Sequence, residues 1–329
     1  MAQFSKSMKK IAIFTSGGDA PGMNAAIRSA VRVGIHSQVE MVGVIGGYSG
    51  FLEQQCQTLT PRDMANIIQR GGTILKTGRC PEFLRPEYRK KAADFIHQQN
   101  FDGLICIGGD GSFTGAHLLW EEFKIPIVGV PGTIDNDIWG TEMTVGFDTA
   151  INTALEAIDK IRDTAASHDR LFIVEVMGRN SGFIAAHVGL AGGAEGIFVP
   201  ENPISVEKII EKIKNGLSRG KTSSILVTAE GQKPGRAYDL AEQIRKKSGF
   251  DAKVCILGHQ QRGGSPSASD RILASRLGAA AVTSLIEQEC DVMVGVMSSQ
   301  IVRVPFADAV SKEKKLDKDH LNLAAILST

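Results

Sequence analysis

The sequence carries almost no net charge: 37 Lys and Arg stand against 36 Asp and Glu, a formal +1 over 329 residues. Without a basic excess a dedicated nucleic-acid binder is not expected, although local basic clusters could still hold small anions. Cysteine is sparse and unpatterned. The five (Cys56, Cys80, Cys106, Cys255 and Cys290) are odd in number and lack Cys-x-x-Cys spacing, which argues against a zinc ribbon or a disulfide framework. Cys106 and Cys255 lie in apolar runs and are expected as reduced core residues. The opening MAQFSKSMKK lacks the apolar stretch of a signal peptide, and no apolar run approaches the about 20 residues of a membrane span. Aromatic residues are few, at 6%, and the 11 prolines form no linker. These absences lead to an expected cytoplasmic globular protein, with neither nucleic acid nor membrane as partner.

What the chain does have is apolar mass and glycine. Hydrophobic residues at 43% beside 22% charged supply a sizeable core, and 36 glycines suit backbone-rich turns. Short apolar runs recur at Ile11–Thr15, Met41–Ile45, Gly103–Ile107, Ile125–Val130, Leu171–Val176, Gly196–Val199, Ser224–Thr228, Val254–Leu257 and Val292–Val296. Most are apolar at consecutive positions, as in strands covered on both faces. Helix-like segments fall between them at Asn24–Val33, Arg62–Gln69, Glu87–Gln98, Phe113–Phe123, Val145–Thr164, Val206–Leu217, Tyr238–Lys247 and Asp270–Glu287. The alternation implies an α/β fold with mainly parallel sheets and ligands beyond the carboxyl ends of the strands. No internal repeat is visible. Val145–Thr164 is the candidate crossing between two lobes, with a return to the first near His259. The charged Lys312–Lys318 reads as a solvated segment.

The loops after the strands carry the chemistry. Thr15–Asn24 (TSGGDAPGMN) opens into a helix, and Gly17 and Gly18 remove side chains where backbone amides and the helix dipole favour an anion. The GK[ST] ending of a Walker loop is missing, and a tight turn is the bland alternative. Gly108–Ser112 (GGDGS) places Asp110 between Gly109 and Gly111. An acid there would repel phosphate unless a divalent cation lay between, so nucleotide phosphates with Mg²⁺ are the natural reading. Taken alone, Asp110 could equally cap the helix. Pro131–Asp137 (PGTIDND) sets two carboxylates and a hydroxyl after a strand, where one acid could take a proton from an attacking hydroxyl. An Asx turn is the structural alternative. The basic complement is Arg79 in TGRCP, Arg179 in MGRN, and His259 and Arg262 in GHQQRGG. Arginine pairs bidentately with phosphate oxygens, and a nearby histidine adds a donor.

Through these loops taken together, the chain resembles ATP-dependent 6-phosphofructokinases of the bacterial type, from Ile11 to about Gly278. The motifs are TSGGDAPGMNAAIR (Thr15–Arg28), GGDGS, PGTIDND, VEVMGR (Val174–Arg179) and GHQQRGGSP (Gly258–Pro266). The resemblance implies two Rossmann-like α/β/α lobes with the active site in the cleft between them. The larger, ATP-binding lobe would be residues 1–145 plus 259–312, and the smaller, fructose 6-phosphate lobe 146–258 plus 313–329. It implies transfer of the ATP γ-phosphoryl group to the 1-hydroxyl of fructose 6-phosphate. Gly18, Arg79, Cys80, Gly109, Asp110, Gly111 and Ser112 would contact ATP, Asp110 serving Mg²⁺. Asp135 would be the base, Thr133 would position the phosphoryl group, Asp137 would support that region, and Arg79 and Arg179 would offset charge. Met177, Gly178, Arg179, Glu230, His259 and Arg262 would bind the sugar phosphate. Arg170 and Lys253 would reach it from a neighbouring subunit of a homotetramer. An effector site for ADP or phosphoenolpyruvate would use Arg28, Arg32, Arg162, Gly193, Glu195, Arg219 and Lys221, although Pro61, Thr222 and Ser223 replace positions that are often basic. Leu84 and Lys253 likewise stand where arginine is usual. Pyrophosphate-using relatives typically have an acid at Gly111 and a lysine at Gly132, so glycine at both favours ATP. An NAD kinase shares only the GGDG loop, a dehydrogenase would need GxGxxG, and a silent sugar-phosphate sensor would not need Asp110, Asp135 and Asp137 together.

Overall fold

The computed structural model describes residues 8–168, 170–231 and 234–328. In chain order the first elements are β1 (Lys10–Thr15), α1 (Met23–His36), β2 (Glu40–Val44), α2 (Tyr48–Leu52), β3 (Cys56–Thr58), α3 (Pro86–Gln98), β4 (Gly103–Gly108), α4 (Asp110–Phe123) and β5 (Ile127–Pro131). The helix α5 (Phe147–His168) leads to β6 (Leu171–Val176), α6 (Phe183–Ala191), β7 (Gly196–Phe198), α7 (Val206–Ser218), β8 (Ser224–Ala229), α8 (Arg236–Ser248) and β9 (Ala252–Ile256). The chain ends with α9 (Ala268–Ile286), β10 (Val292–Met297), β11 (Gln300–Pro305), α10 (Phe306–Ser311) and α11 (Lys318–Leu327). Two compact units result. One holds the residues up to Thr133, Ile138–Asp148 and Arg262–Lys314; the other holds Ile134–Asp137, Thr149–Gln261 and the residues from Lys315.

The first unit is built on a seven-stranded sheet in the order β11-β10-β5-β4-β1-β2-β3. Its centre is parallel: Ile11 pairs with Gly103 and Met41, and Leu104 with Ile127. Strands β1, β4 and β5 are buried at nearly every position, which is why their sequences are apolar without alternation. One face packs Phe14, Val42, Leu104, Cys106 and Ile127 against Phe95, Ile96, Phe113 and Phe306 of α3, α4 and α10. The other face is covered by α1 and α9, which pack on each other so closely that a Cβ on Gly278 would lie 2.4 Å from the Ala26 carbonyl oxygen.

The second unit has a four-stranded, all-parallel sheet in the order β7-β8-β6-β9. Leu171, Ile173, Phe198 and Leu226 pack on Val206, Ile209, Ile213, Leu240 and Ile244 of α7 and α8. Helix α6 lies against β7 and β8, and α11 packs on α6. The molecule is thus an α/β protein of two mainly parallel, Rossmann-like sheets.

Two expectations need correction. Arg62–Gln69 is not a helix: its bonds are successive tight turns, Ala65 N to Arg62 O and Arg70 N to Ile67 O. Asn66 at φ 55° breaks the helical path, while Met64 and Ile67 still reach the core and give the apolar spacing that imitated a helix. Cys106 is fully buried and its thiol is pushed up to about 12, but Cys255 is only partly buried. The charged Lys312–Lys318 is largely exposed and forms no helix before Lys318, as expected of a solvated segment. It runs straight into α11, whose N-terminus is capped by Asp317 accepting from the Asp319 amide. Among the described residues no helix is long and apolar enough to cross a membrane.

Candidate functional site

Three adjacent parallel strands of the first unit end at one edge: Thr15 of β1 pairs with Ile107 of β4, and Gly108 of β4 pairs with Pro131 of β5. Three of the motif loops therefore leave this sheet side by side. After β1 the chain turns at Gly17 (φ +86°), whose amide donates to the Gly78 carbonyl at 3.1 Å. A Cβ on Gly18 would lie 2.5 Å from an Arg262 guanidinium nitrogen, so Gly18 is glycine because that guanidinium fills the space. The Arg262 head also donates to the Asp19 carbonyl at 3.0 Å. After β4, Gly109 precedes the first turn of α4, and the Ser112 hydroxyl donates to the Ser16 carbonyl at 3.1 Å, tying the two loops together. The Tyr48 hydroxyl donates to the Ser112 carbonyl at 2.6 Å from below. After β5, Thr133 packs against Gly109, where an added Cβ would meet the Thr133 Cβ at 3.6 Å.

This edge suits a phosphate chain and a hard cation. The N-terminus of the fourteen-residue α4 presents amides and the positive end of its dipole. Asp110 reaches solvent, yet partial burial of its carboxyl raises it above the ordinary range. Its carboxylate has no hydrogen bond or ion pair among the described residues. A single oxygen-donor acid without a countercharge, beside free helix amides, fits Mg²⁺ held jointly with substrate phosphates. Gly111 opens onto free space, with nothing within 4 Å of an added Cβ. Gly132 differs: there an added carbon would meet Ile107 at 2.8 Å and Met23 at 3.1 Å, so packing as well as ligand room calls for glycine. Arg79 is exposed and Cys80 partly exposed, both on the loop that contacts Gly17 through Gly78 and Thr77.

The second unit gathers another set at the carboxyl edge of its sheet. β6 continues into Met177, Gly178 and Arg179; β8 into Glu230; β9 into Leu257, Gly258 and His259. Gly178 takes φ +136° and the exposed Arg179 takes φ 49°, a left-handed position that swings its side chain out of the strand line. Glu230 is nearly buried and its amide donates to the Val176 carbonyl at 2.9 Å. Asp135 joins this unit: the Ser181 hydroxyl donates to its carbonyl at 2.9 Å, and the next residue, Asn136, is buried at φ 52°. Asp135 itself is half-buried and Asp137 exposed.

Other expected residues have partners of their own. The Arg262 guanidinium binds the Asp19 carbonyl beside the Gly18 loop of the first unit, whereas His259 follows β9 in the second. Arg170 and Lys253 lie at the opposite ends of β6 and β9 from Met177, with Phe172 in register with Lys253. There Lys253 pairs with Asp251 at 2.7 Å and, with smaller help from Arg245 and Arg170, holds the Asp251 carboxyl below its usual range. Of the effector set, Arg162 donates to the Gly192 and Gly193 carbonyls, and Lys221 pairs with the buried Glu195 at 2.5 Å. Arg219 is exposed nearby in sequence, and Arg28 and Arg32 lie in the first unit on α1.

Sequence reasoning passed over two groups that hold these loops. Gln261 is wholly buried, accepting from the Met177 amide at 2.8 Å and donating to the Ala150 carbonyl at 3.3 Å. Glu175, also buried, accepts from the Gly235 and Ala237 amides, both at 2.8 Å, and so caps α8. A carboxylate inside the apolar run LFIVEV was the available signal. A third cluster, His117, Glu121 and Asp291, brings its donor atoms within 4.8 Å, but His117 already pairs with Asp291 and Lys124 with Glu121.

Comparison with known proteins places the arrangement. A phosphofructokinase family model matches residues 10–285. The ATP-dependent 6-phosphofructokinase 1 of Thermus thermophilus is 54% identical over 321 residues, covering 98% of this chain and all of its own length. The ATP-dependent 6-phosphofructokinase of Cytophaga hutchinsonii is 50% identical over 98% of both chains. Among solved structures, phosphofructokinase from Saccharomyces cerevisiae superposes with a TM-score of 0.88 at 35% identity, over 97% of this chain and 48% of that one. A pyrophosphate-dependent phosphofructokinase from Marinobacter aquaeolei shares the fold at a TM-score of 0.83 and 24% identity. With a family model over most of its length and full-length relatives of this kind, the chain belongs to the phosphofructokinase family.

Proposed function

We propose that this protein transfers the γ-phosphoryl group of ATP to the 1-hydroxyl of fructose 6-phosphate, giving fructose 1,6-bisphosphate and ADP. The observation that carries the reading is 54% identity over the full length of a relative named for that activity. The loops at the edge of the first sheet bind the triphosphate: the amides of Asp110 and Gly111 face it between Gly109 and Ser112, the Gly17–Gly18 turn lets it approach the backbone, and Arg79 and Cys80 flank it. Asp110 would hold Mg²⁺, which supplies charge neutralisation on the phosphates. The loops at the edge of the second sheet bind the sugar phosphate through Met177, Gly178, Arg179, Glu230 and His259, with Arg262 three residues further on. The two units thus serve as nucleotide and sugar-phosphate lobes.

Phosphoryl transfer asks for positioning and charge balance rather than covalent help. Asp135 accepts the proton of the attacking hydroxyl, Thr133 orients the transferring group, Asp137 supports that loop, and Arg79 and Arg179 offset the developing charge. The open space at Gly111 supports ATP over pyrophosphate as donor. The placement of Arg170 and Lys253 away from the Met177 loop supports their service to a neighbouring subunit in a homotetramer. The carbonyl-bound Arg162 and the Glu195–Lys221 pair, with Arg219, Arg28 and Arg32, form the effector set for ADP or phosphoenolpyruvate. A cytoplasmic glycolytic role goes with this chemistry. An assay with Mg²⁺, fructose 6-phosphate and either ATP or pyrophosphate at equal concentration tests the reading. Bisphosphorylated hexose is expected with ATP; none with ATP, or equal yield with pyrophosphate, rejects it.

A further inference from the structure

Asn24, the second residue of α1, is 1% exposed and has no part in the chemistry above. Its side-chain amide nitrogen donates to the carbonyls of Arg70 (3.1 Å) and Gly71 (3.2 Å), and its oxygen accepts from the Ile74 amide (2.8 Å). Both ends of the group are therefore in use. The segment it holds, residues 70–78, forms neither helix nor strand, so no ladder satisfies its backbone and other groups must. Further along, the Thr15 hydroxyl donates to the Lys76 carbonyl (2.9 Å) and the Thr77 hydroxyl to the Gly17 carbonyl (3.0 Å). The segment has no slack on its other side: a Cβ on Gly71 would lie 2.3 Å from the Gly264 carbonyl oxygen. It ends at Arg79, an exposed side chain with no hydrogen bond or ion pair among the described residues. The guanidinium is thus placed by its backbone alone.

We infer that Asn24 is a positioning residue for the phosphoryl-donor half: it fastens residues 70–74 to the start of α1 and thereby sets where Arg79 meets the triphosphate. The inference rests on the reading that Arg79 contacts ATP. Asparagine is required because the three groups it meets are two acceptors and one donor. An aspartate of the same shape would satisfy Ile74 but set a carboxylate oxygen against two carbonyls.

Steady-state kinetics with ATP and fructose 6-phosphate varied separately test this on Asn24→Asp, Arg79→Ala and the double variant. Asn24→Asp is expected to raise the KM for ATP on the order of tenfold to a hundredfold, leaving the KM for fructose 6-phosphate within about twofold. The double variant is expected to be no worse than Arg79→Ala beyond about twofold, because one residue acts through the other. An unchanged KM for ATP, an equal rise in both KM values, or full multiplication of the two defects overturns the inference. If Arg79→Ala is itself silent, the underlying reading falls and takes the inference with it. Thr15→Val, which removes the tie to Lys76 without adding charge, covers the case in which Asn24→Asp does not fold. It is expected to show the same ATP-selective rise at smaller size, and a wild-type KM for ATP in that variant overturns the inference.

Discussion

A single acid at the start of a helix can help the fold and hinder the ligand at once, and position 111 separates the two effects. An aspartate in the first turn of α4 complements the helix dipole, worth about 0.3–1 kcal/mol, and meets nothing within 4 Å. Gly111→Asp should therefore leave the melting temperature unchanged or slightly raised. The same carboxylate repels the triphosphate, so the KM for ATP should rise at least tenfold by the order of a few unit-charge contacts near a protein surface. A variant that melts as expected but uses ATP normally would place the phosphates elsewhere. Asp135 is the complementary case. A positioned general base contributes roughly 10²–10⁴-fold, so Asp135→Ser should lower kcat by that order while protection of the protein by ATP against thermal unfolding persists. Near-normal turnover would remove it from that role.

At the scale of elements, the central strands were legible because burial on both faces leaves an unbroken apolar run, and every such run is a strand. The edges were not. β3 and β11 pair antiparallel at the two ends of the large sheet, and β11 carries exposed and apolar residues in alternation, without the continuous apolar signal. α6 was hidden for the opposite reason: FIAAHVGLA is apolar around its whole circumference, so it shows no helical period. The site divided similarly. The loops proposed to carry chemistry are marked by glycine and charge, whereas Asn24, Glu175 and Gln261 act through buried hydrogen bonds whose partners are distant in sequence. Glu175 shows what such a bond is worth. Its two charge-assisted acceptor contacts fix the start of α8 and, on the same loop, the approach to Glu230. Glu175→Gln keeps the shape but turns one acceptor into a donor facing an amide. It should cost about 1–2 kcal/mol in stability and raise the KM for fructose 6-phosphate more than that for ATP. Equal changes in both, measured beside urea unfolding, would make Glu175 a fold residue only.

At the scale of the whole molecule, the question is whether one chain owns a complete sugar-phosphate site. Arg170 precedes β6 and Arg179 follows it, and a six-residue strand spans roughly 20 Å. No side chain bridges that length, so Arg170 and Arg179 of one chain cannot hold the same phosphate ester. The proposed remedy is a symmetric assembly in which the Arg170 and Lys253 edge of one subunit faces the Arg179 edge of another. Such an arrangement makes a prediction that no self-contained site shares. Asp135→Ser and Arg170→Ala should each be nearly inactive alone, the first in turnover and the second in sugar-phosphate affinity. Dissociated, mixed in equal amounts and reassembled, they should regain activity, since about a quarter of the shared sites would draw an intact Asp135 from one chain and an intact Arg170 from its neighbour. Activity that stays at the sum of the two separate variants after subunit exchange, verified by native mass spectrometry of the hybrids, would mean that each chain works alone.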